Sequence, residues 1–155
     1  MINILVVDDE RTIVDIISKM LEKWGYNPVQ AYSGEEALEK IKKVPIDMVI
    51  TDLMMPKMDG FSLISRILEN NINMVIIVLT GFPSIDSAVQ AIKAGASDYM
   101  VKPVQTEELK FKIDRCIERR NLIKSKSFLR GLNWALIFSI PFWLILGIIL
   151  ATILK

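Results

Sequence analysis

Histidine is absent from the 155 residues, and cysteine occurs once, as Cys116. Without histidine the chain has no imidazole to act as general base, to ligate zinc or to carry a phosphoryl group itself. Any phosphoryl chemistry here must draw its phosphate from another molecule. A lone cysteine excludes an internal disulfide, so folding needs no oxidising compartment, and Cys116 is expected as a small buried hydrophobe. The opening MINILVVDDE has no basic stretch ahead of its short apolar run and does not read as a signal peptide. Charge is missing altogether from Leu132 to Leu154, a stretch of 23 residues.

What charge there is lies segregated. Met1 to Asp114 holds 17 acidic and 12 basic residues, net −5; Arg115 to Gly131 holds 6 basic and 1 acidic, net +5. The length suits one domain with a full core plus an appendage. The expected division is a domain over residues 1–121, a basic neck over 122–131 and an apolar segment over 132–154.

Ile2 to Val7 is a branched, continuously apolar run followed by DDE, which suits a central strand covered on both faces. Val29 to Tyr32, Met48 to Thr51, Met74 to Leu79 and a short run at Tyr99 to Val101 follow as further strands. Between them, apolar residues recur at three and four: Ile13, Ile16, Ile17, Met20 and Leu21; Ala37, Leu38 and Ile41; Phe61, Ile64 and Leu68; Val89 and Ile92. Thr106, Glu107 and Glu108 open a last helix carrying Leu109, Ile113, Cys116, Ile117 and Ile123. Strand and helix alternate five times, and right-handed crossovers then require a parallel sheet with helices on both faces.

In such a sheet ligands bind outside the carboxyl ends of the strands, where the strand order reverses. Asp8 and Asp9 close the first strand, Asp52 the third, Thr80 the fourth and Lys102 the fifth. Singly, each reads as a cap or a solvated charge; jointly, at matching strand ends, they read as one pocket. Three carboxylates within about 4 Å of each other repel by roughly 4 kcal/mol per pair at an effective dielectric near 20. A hard cation offered only oxygen ligands and water, best Mg²⁺, would hold them together. A divalent ion, an ammonium and a hydroxyl around one carboxylate suit phosphoryl transfer, with Asp52 as nucleophile forming an acyl phosphate.

The segments ILVVDDE, MVITDLMMPKMDGFSLI, VIIVLTGF and AIKAGASDYMVKP resemble the receiver domain of two-component response regulators, over Met1 to about Asn121. The resemblance implies the flavodoxin-like (βα)5 doubly wound fold, strand order 2-1-3-4-5, and Mg²⁺-dependent phosphorylation by a histidine kinase partner. It implies Asp52 as phosphoacceptor, Asp9 and Asp52 as direct metal ligands, Asp8 acting through water, and the Met54 backbone carbonyl completing the metal shell. Lys102 would contact the phosphoryl group, Thr80 and Tyr99 would form the switch pair, and Pro103 falls where the family has a cis peptide bond. Pro56 and Gly60 match the turn after the acceptor. Met54 and Phe82, two residues after the acceptor and the switch hydroxyl, are bulky and apolar where the family tunes attack by water, so slow self-dephosphorylation is expected. SIDSAVQAIKAGASDYMVKP is most similar to receivers of the NtrC type, but the ATPase and helix-turn-helix that follow in those proteins do not follow here. Direct nucleic-acid binding is therefore not expected.

Leu132 to Leu154 contains fourteen Leu, Ile or Phe residues and no polar face. As a helix it would measure about 35 Å, against a hydrocarbon core of roughly 30 Å. A single C-terminal transmembrane helix is thus expected, with Pro141 tolerated as a kink. Arg115, Arg119, Arg120, Lys124, Lys126 and Arg130 precede it and only Lys155 follows, which predicts an inner-membrane protein whose receiver faces the cytoplasm. Ala135, Ser139, Gly147 and Ala151 would let two such helices approach, which makes a homodimer an expectation.

The resemblance and the uncharged segment together lead to the expectation of a non-enzymatic, membrane-anchored phosphorylation switch acting on an unknown downstream protein. Two competing readings are a Mg²⁺-dependent aspartyl-phosphate phosphohydrolase, which would want a second Asp where Met54 stands, and a membrane scaffold with a vestigial pocket.

Overall fold

The computed structural model describes residues 1–120 and Leu122. The chain divides into two compact units, Met1–Cys116 and Ile117–Lys155. Of the expected neck only Leu122 is described, and the expected membrane span at 132–154 lies outside the described residues. Among the described residues, no helix is long and apolar enough to cross a membrane.

In the first unit, five strands, β1 Asn3–Val7, β2 Asn27–Ala31, β3 Met48–Asp52, β4 Val75–Thr80 and β5 Asp98–Val101, alternate with helices α1 Arg11–Lys23, α2 Gly34–Lys43, α3 Gly60–Asn70 and α4 Ile85–Lys93. A further helix, α5, runs over 106–120. All strand pairs are parallel, in the expected order β2-β1-β3-β4-β5. Strand ends differ from the sequence expectation by a residue or two. The larger shift is at β2, whose polar start, Asn27 and Pro28, carries no hydrophobic signal but pairs with Asn3 and Ile4 of β1.

Alternate residues of the central strands point to opposite sides, and both sides are buried, which explains runs without polar alternation. Leu5, Val7, Val49, Ile76 and Val78 join one core cluster with Ala37 of α2, Leu63, Ile64 and Ile67 of α3 and Ala91 of α4. Ile4, Val6, Met48, Ile50, Ile77, Leu79 and Met100 are buried too, and face the other way. The buried residues on that side come from Val14, Ile17 and Leu21 of α1 and Leu109, Ile113 and Cys116 of α5. The buried stripe of α1 therefore runs one position round from the expected one: Val14 and Ser18 are inside while Ile16 is exposed.

Helix starts follow local chemistry. Ser33 accepts a hydrogen bond from the Glu36 N–H and Asp59 from the Ser62 N–H, each satisfying a donor the helix leaves open. Ser84 and Ser87 cap α4 reciprocally, a capping box built from two serines.

Candidate functional site

Register brings the reactive residues together. Val7 pairs with Thr51, so Asp8 and Asp52, the residues that follow them, sit side by side. Asp52 pairs with Leu79, just before Thr80, and Thr80 pairs with Val101, just before Lys102. The Lys102 N–H donates to the Thr80 carbonyl at 2.8 Å, closing the carboxyl edge of β4 and β5, and the Lys102–Pro103 bond is cis as the sequence implied.

Asp52 is buried and fixed at both oxygens. Its Oδ1 accepts from the backbone N–H of Leu53 at 2.6 Å and of Met54 at 3.3 Å; its Oδ2 faces the Lys102 ammonium at 2.8 Å. The same ammonium lies 2.6 Å from Asp8 Oδ2, whose partner oxygen accepts from the Glu10 N–H at 3.0 Å. Lys102 thus bridges two buried carboxylates. Burial alone lowers its pKa, but Asp52 and Asp8 outweigh that and hold the ammonium above the usual lysine range. Burial raises the Asp8 pKa, helped by the nearby Asp52, and the Lys102 ammonium and Glu10 N–H only partly oppose it.

One carboxylate oxygen each from Asp8, Asp9 and Asp52 lies within 4.8 Å of the others, with Asp9 exposed to solvent. Asp8 Oδ2 is buried without a hydrogen-bond donor aligned to it; its contact with Lys102 is one of charge rather than direction. An all-oxygen, anionic donor set with an undersatisfied buried oxygen fits a hard divalent cation.

Two local devices hold the loop after Asp52. Gly60 packs so closely that a Cβ there would lie 2.7 Å from Leu53 Cα and closer still to the Asp52 carbonyl oxygen, while its N–H donates to Leu53 O at 2.9 Å. Lys57 adopts a left-handed φ of 66°, an uncommon conformation for a side-chain-bearing residue and one that clusters at functional loops.

The expected switch residues are both present. Thr80 is buried and its Oγ1 accepts from the Phe82 N–H at 3.2 Å. Tyr99 is half-buried, and its hydroxyl lies 3.1 Å from Ser87 Oγ on α4. Met54 and Phe82 are 60% and 74% exposed, so neither is a core residue.

Sequence reasoning missed Ser87, whose hydroxyl joins Tyr99 to the cap of α4; the only signal was a serine three residues after Ser84. It also missed Asp98, which binds Lys112 at 2.8 Å and Arg115 across to α5. Arg115, counted with the basic cluster, is therefore partly committed to an internal ion pair.

The parallel sheet in this order, with an acidic pocket at its carboxyl edge, defines a flavodoxin-like α/β signalling domain. Residues 4–114 match the response regulator receiver domain, and the chain belongs to that family. It is 38% identical over 116 residues to the transcriptional regulatory protein ZraR of Salmonella typhimurium, covering 75% of this chain and 26% of that protein. The chain therefore spans about a quarter of that relative's length. Among solved structures, a response regulator receiver domain protein from Clostridium thermocellum superposes with a TM-score of 0.75 at 38% identity, covering 79% of this chain and 99% of that one. The beryllofluoride-activated NtrC4 receiver domain dimer gives 0.74 at 40% identity, covering 77% and 99%.

Proposed function

We propose that this chain is a membrane-anchored phosphorylation switch in which Asp52 accepts a phosphoryl group from a histidine kinase. The observation that carries the reading is the Asp52 carboxylate, buried, held by two backbone N–H groups and paired with Lys102 beside two further aspartates. An Asp52 oxygen forms the new bond to phosphorus while the phosphorus–nitrogen bond of the donor breaks, the electron pair leaving with the donor nitrogen. Lys102 lies against Asp52 where an incoming phosphoryl group would meet it, and would offset its charge. Asp8, Asp9 and Asp52, with the Met54 carbonyl, would hold Mg²⁺, which when bound neutralises phosphoryl oxygens.

The new group adds about −1.5 to −2 charges at one point, enough to bias a two-state surface. Thr80 would then turn toward the phosphoryl group and Tyr99 would change its seat beside α4, altering affinity for a downstream protein. The uncharged stretch Leu132–Leu154 and the basic residues before it support a single inner-membrane span with the receiver in the cytoplasm. Confinement of this kind raises the effective concentration of the switch near membrane partners.

Incubation with a phosphorylated histidine kinase and Mg²⁺ should give hydroxylamine-sensitive phosphate incorporation, absent from Asp52→Ala; retained incorporation in that variant overturns the assignment. In the same preparation the phosphoryl group should outlast a timescale of seconds, because Met54 and Phe82 offer nothing to orient water. Full-length protein should sediment with membranes and resist alkaline extraction; recovery in the soluble fraction without detergent overturns the anchor.

A further inference from the structure

Between the C-terminal ends of α2 and α3 the first unit holds a cavity of about 390 Å³, within the range of roughly 300–1,000 Å³ in which small-molecule sites fall. Leu38, Ile41, Ile46, Ile67 and Met74 give it apolar walls, and Ile67 and Met74 are buried. Ile46 precedes β3 and Met74 precedes β4, so the cavity lies at the amino edge of the sheet, the opposite end from Asp52. It shares no residue with the carboxylate pocket.

Charge indicates what the cavity takes. Met1 to Asp114 is net −5, yet no Asp or Glu lines the cavity, and its two charged residues are Lys42 and Arg66. Neither has an ion-pair partner among the described residues. Lys42 lies in the last turn of α2, where a cation complements the partial negative charge of the helix end. Arg66 lies ahead of the last turn of α3, which holds no basic residue, so that explanation does not reach it. Asn71 adds an amide whose Oδ1 accepts from the Asn73 N–H at 3.2 Å, which leaves its side-chain N–H groups to donate elsewhere. Apolar walls with a few unpaired donors suit a ligand held by one polar head, and two cations select an anionic head. A carboxylate matches the guanidinium fork of Arg66. The two acyl chains of a membrane lipid exceed the cavity, so a compact free acid fits it better.

We infer that the cavity between α2 and α3 is a binding site for a compact apolar acid, with Arg66 and Lys42 pairing to its carboxylate and Ile41, Ile46 and Ile67 covering its apolar body. This goes beyond the phosphoacceptor reading and does not depend on it. One helix nevertheless borders both sites, since α3 runs from Gly60, packed on the acceptor turn, to Asn70 at the cavity. Both cations are exposed, and water competes for them, so modest affinity is expected.

The test uses the full chain in non-ionic detergent, with 2-naphthoate as probe, 2-naphthalenemethanol as its uncharged counterpart, and equilibrium dialysis against detergent alone as blank. Naphthoate should bind saturably, one molecule per chain, and about ten-fold more tightly than the alcohol. Arg66→Glu and Lys42→Glu should each weaken binding by roughly five-fold, and the pair together should abolish it. Arg66→Lys should retain most of it, and Lys19→Glu, on the exposed side of α1, should leave it unchanged. Ile46→Trp, which fills the cavity, should abolish binding with both cations in place. Absence of saturation, equal affinity for the alcohol, or reversals at 42 and 66 no more damaging than Lys19→Glu would each overturn the inference. Lys42 and Arg66 are exposed, so these reversals leave the core intact and decide the matter even where Ile46→Trp fails to fold. Phosphate incorporation at Asp52 and thermal unfolding, measured on the same preparations, report separately on the phosphoacceptor and on folding.

Discussion

Helices α3 and α4 begin alike. Each starts on an oxygen-bearing N-cap, Asp59 or Ser84, and each carries branched or aromatic apolar residues at spacings of three and four. In α3 that stripe, Leu63, Ile64 and Ile67, is turned inward and buried. In α4 the corresponding stripe, Ile85, Val89 and Ile92, is turned outward and alanine takes the inner side. Helical spacing therefore identified both helices correctly, and carried no information about which side each would bury. Inward-facing alanine lets α4 approach the sheet closely beside β5, the last strand, whereas α3 needs bulk to fill the space above the central strands.

The largest expected effect separates the two stripes directly. Ile64→Ala should cost about 2–5 kcal/mol by cavity formation, while Ile92→Ala should stay within about 0.5 kcal/mol in urea unfolding of the monomer. A cost above about 1 kcal/mol for Ile92→Ala would mean the outward stripe is covered within a single chain.

The glycines leading into the two helices give an intermediate effect. Gly60→Ala should cost on the order of 1–3 kcal/mol, since its Cβ meets the backbone of Asp52 and Leu53, and should slow phosphate uptake by moving the acceptor turn. A Cβ at Gly81, just after Thr80, meets nothing within 4 Å, so Gly81→Ala should be neutral or stabilise by up to about 1 kcal/mol. Equal costs at the two sites would show that the acceptor turn is not the tighter of the pair.

The smallest effect is a pH dependence on the other side of β5, the strand that α4 helps to cover. Burial raises the Asp98 pKa, but the hydrogen bonds from Lys112 and the Tyr99 N–H and the nearness of Arg115 outweigh it and bring it below the usual carboxylate value of 3.8. A carboxyl with a lowered folded pKa stabilises the fold above its unfolded value, and that contribution is lost as pH falls from about 4 through the lowered value. Asp98→Asn should therefore be less stable than the parent at pH 6 and should close part of that gap below pH 4. A gap that stays constant with pH would show that the ion pairs at Asp98 add nothing.

The pocket was largely legible before the fold was known, because strand ends are local signals. Asp8, Asp9, Asp52, Thr80 and Lys102 each follow an apolar run, and parallel pairing in register is sufficient to bring Asp8, Asp52 and Lys102 into contact. Tyr99 could be recognised by resemblance, but its hydrogen bond to Ser87 could not, since that contact depends on how α4 lies against β5. The Asp98 cluster was hidden for the same reason: nothing local links a strand residue to cations on a later helix. The α1 stripe misled by one position because Ile13, Ile16 and Ile17 offer two overlapping apolar faces, and only the neighbouring strands choose between them.

The sequence by itself determined the alternation of strands and helices, the strand-end chemistry and the uncharged segment at 132–154, each written in adjacent residues or in short periods. Only the tertiary structure decided which side of a helix is inside, which oxygen of Asp52 meets Lys102, and that the apolar stripe of α4 faces water. Those outcomes depend on surfaces distant in sequence that must fill common space, and no single segment carries the shape of its neighbour.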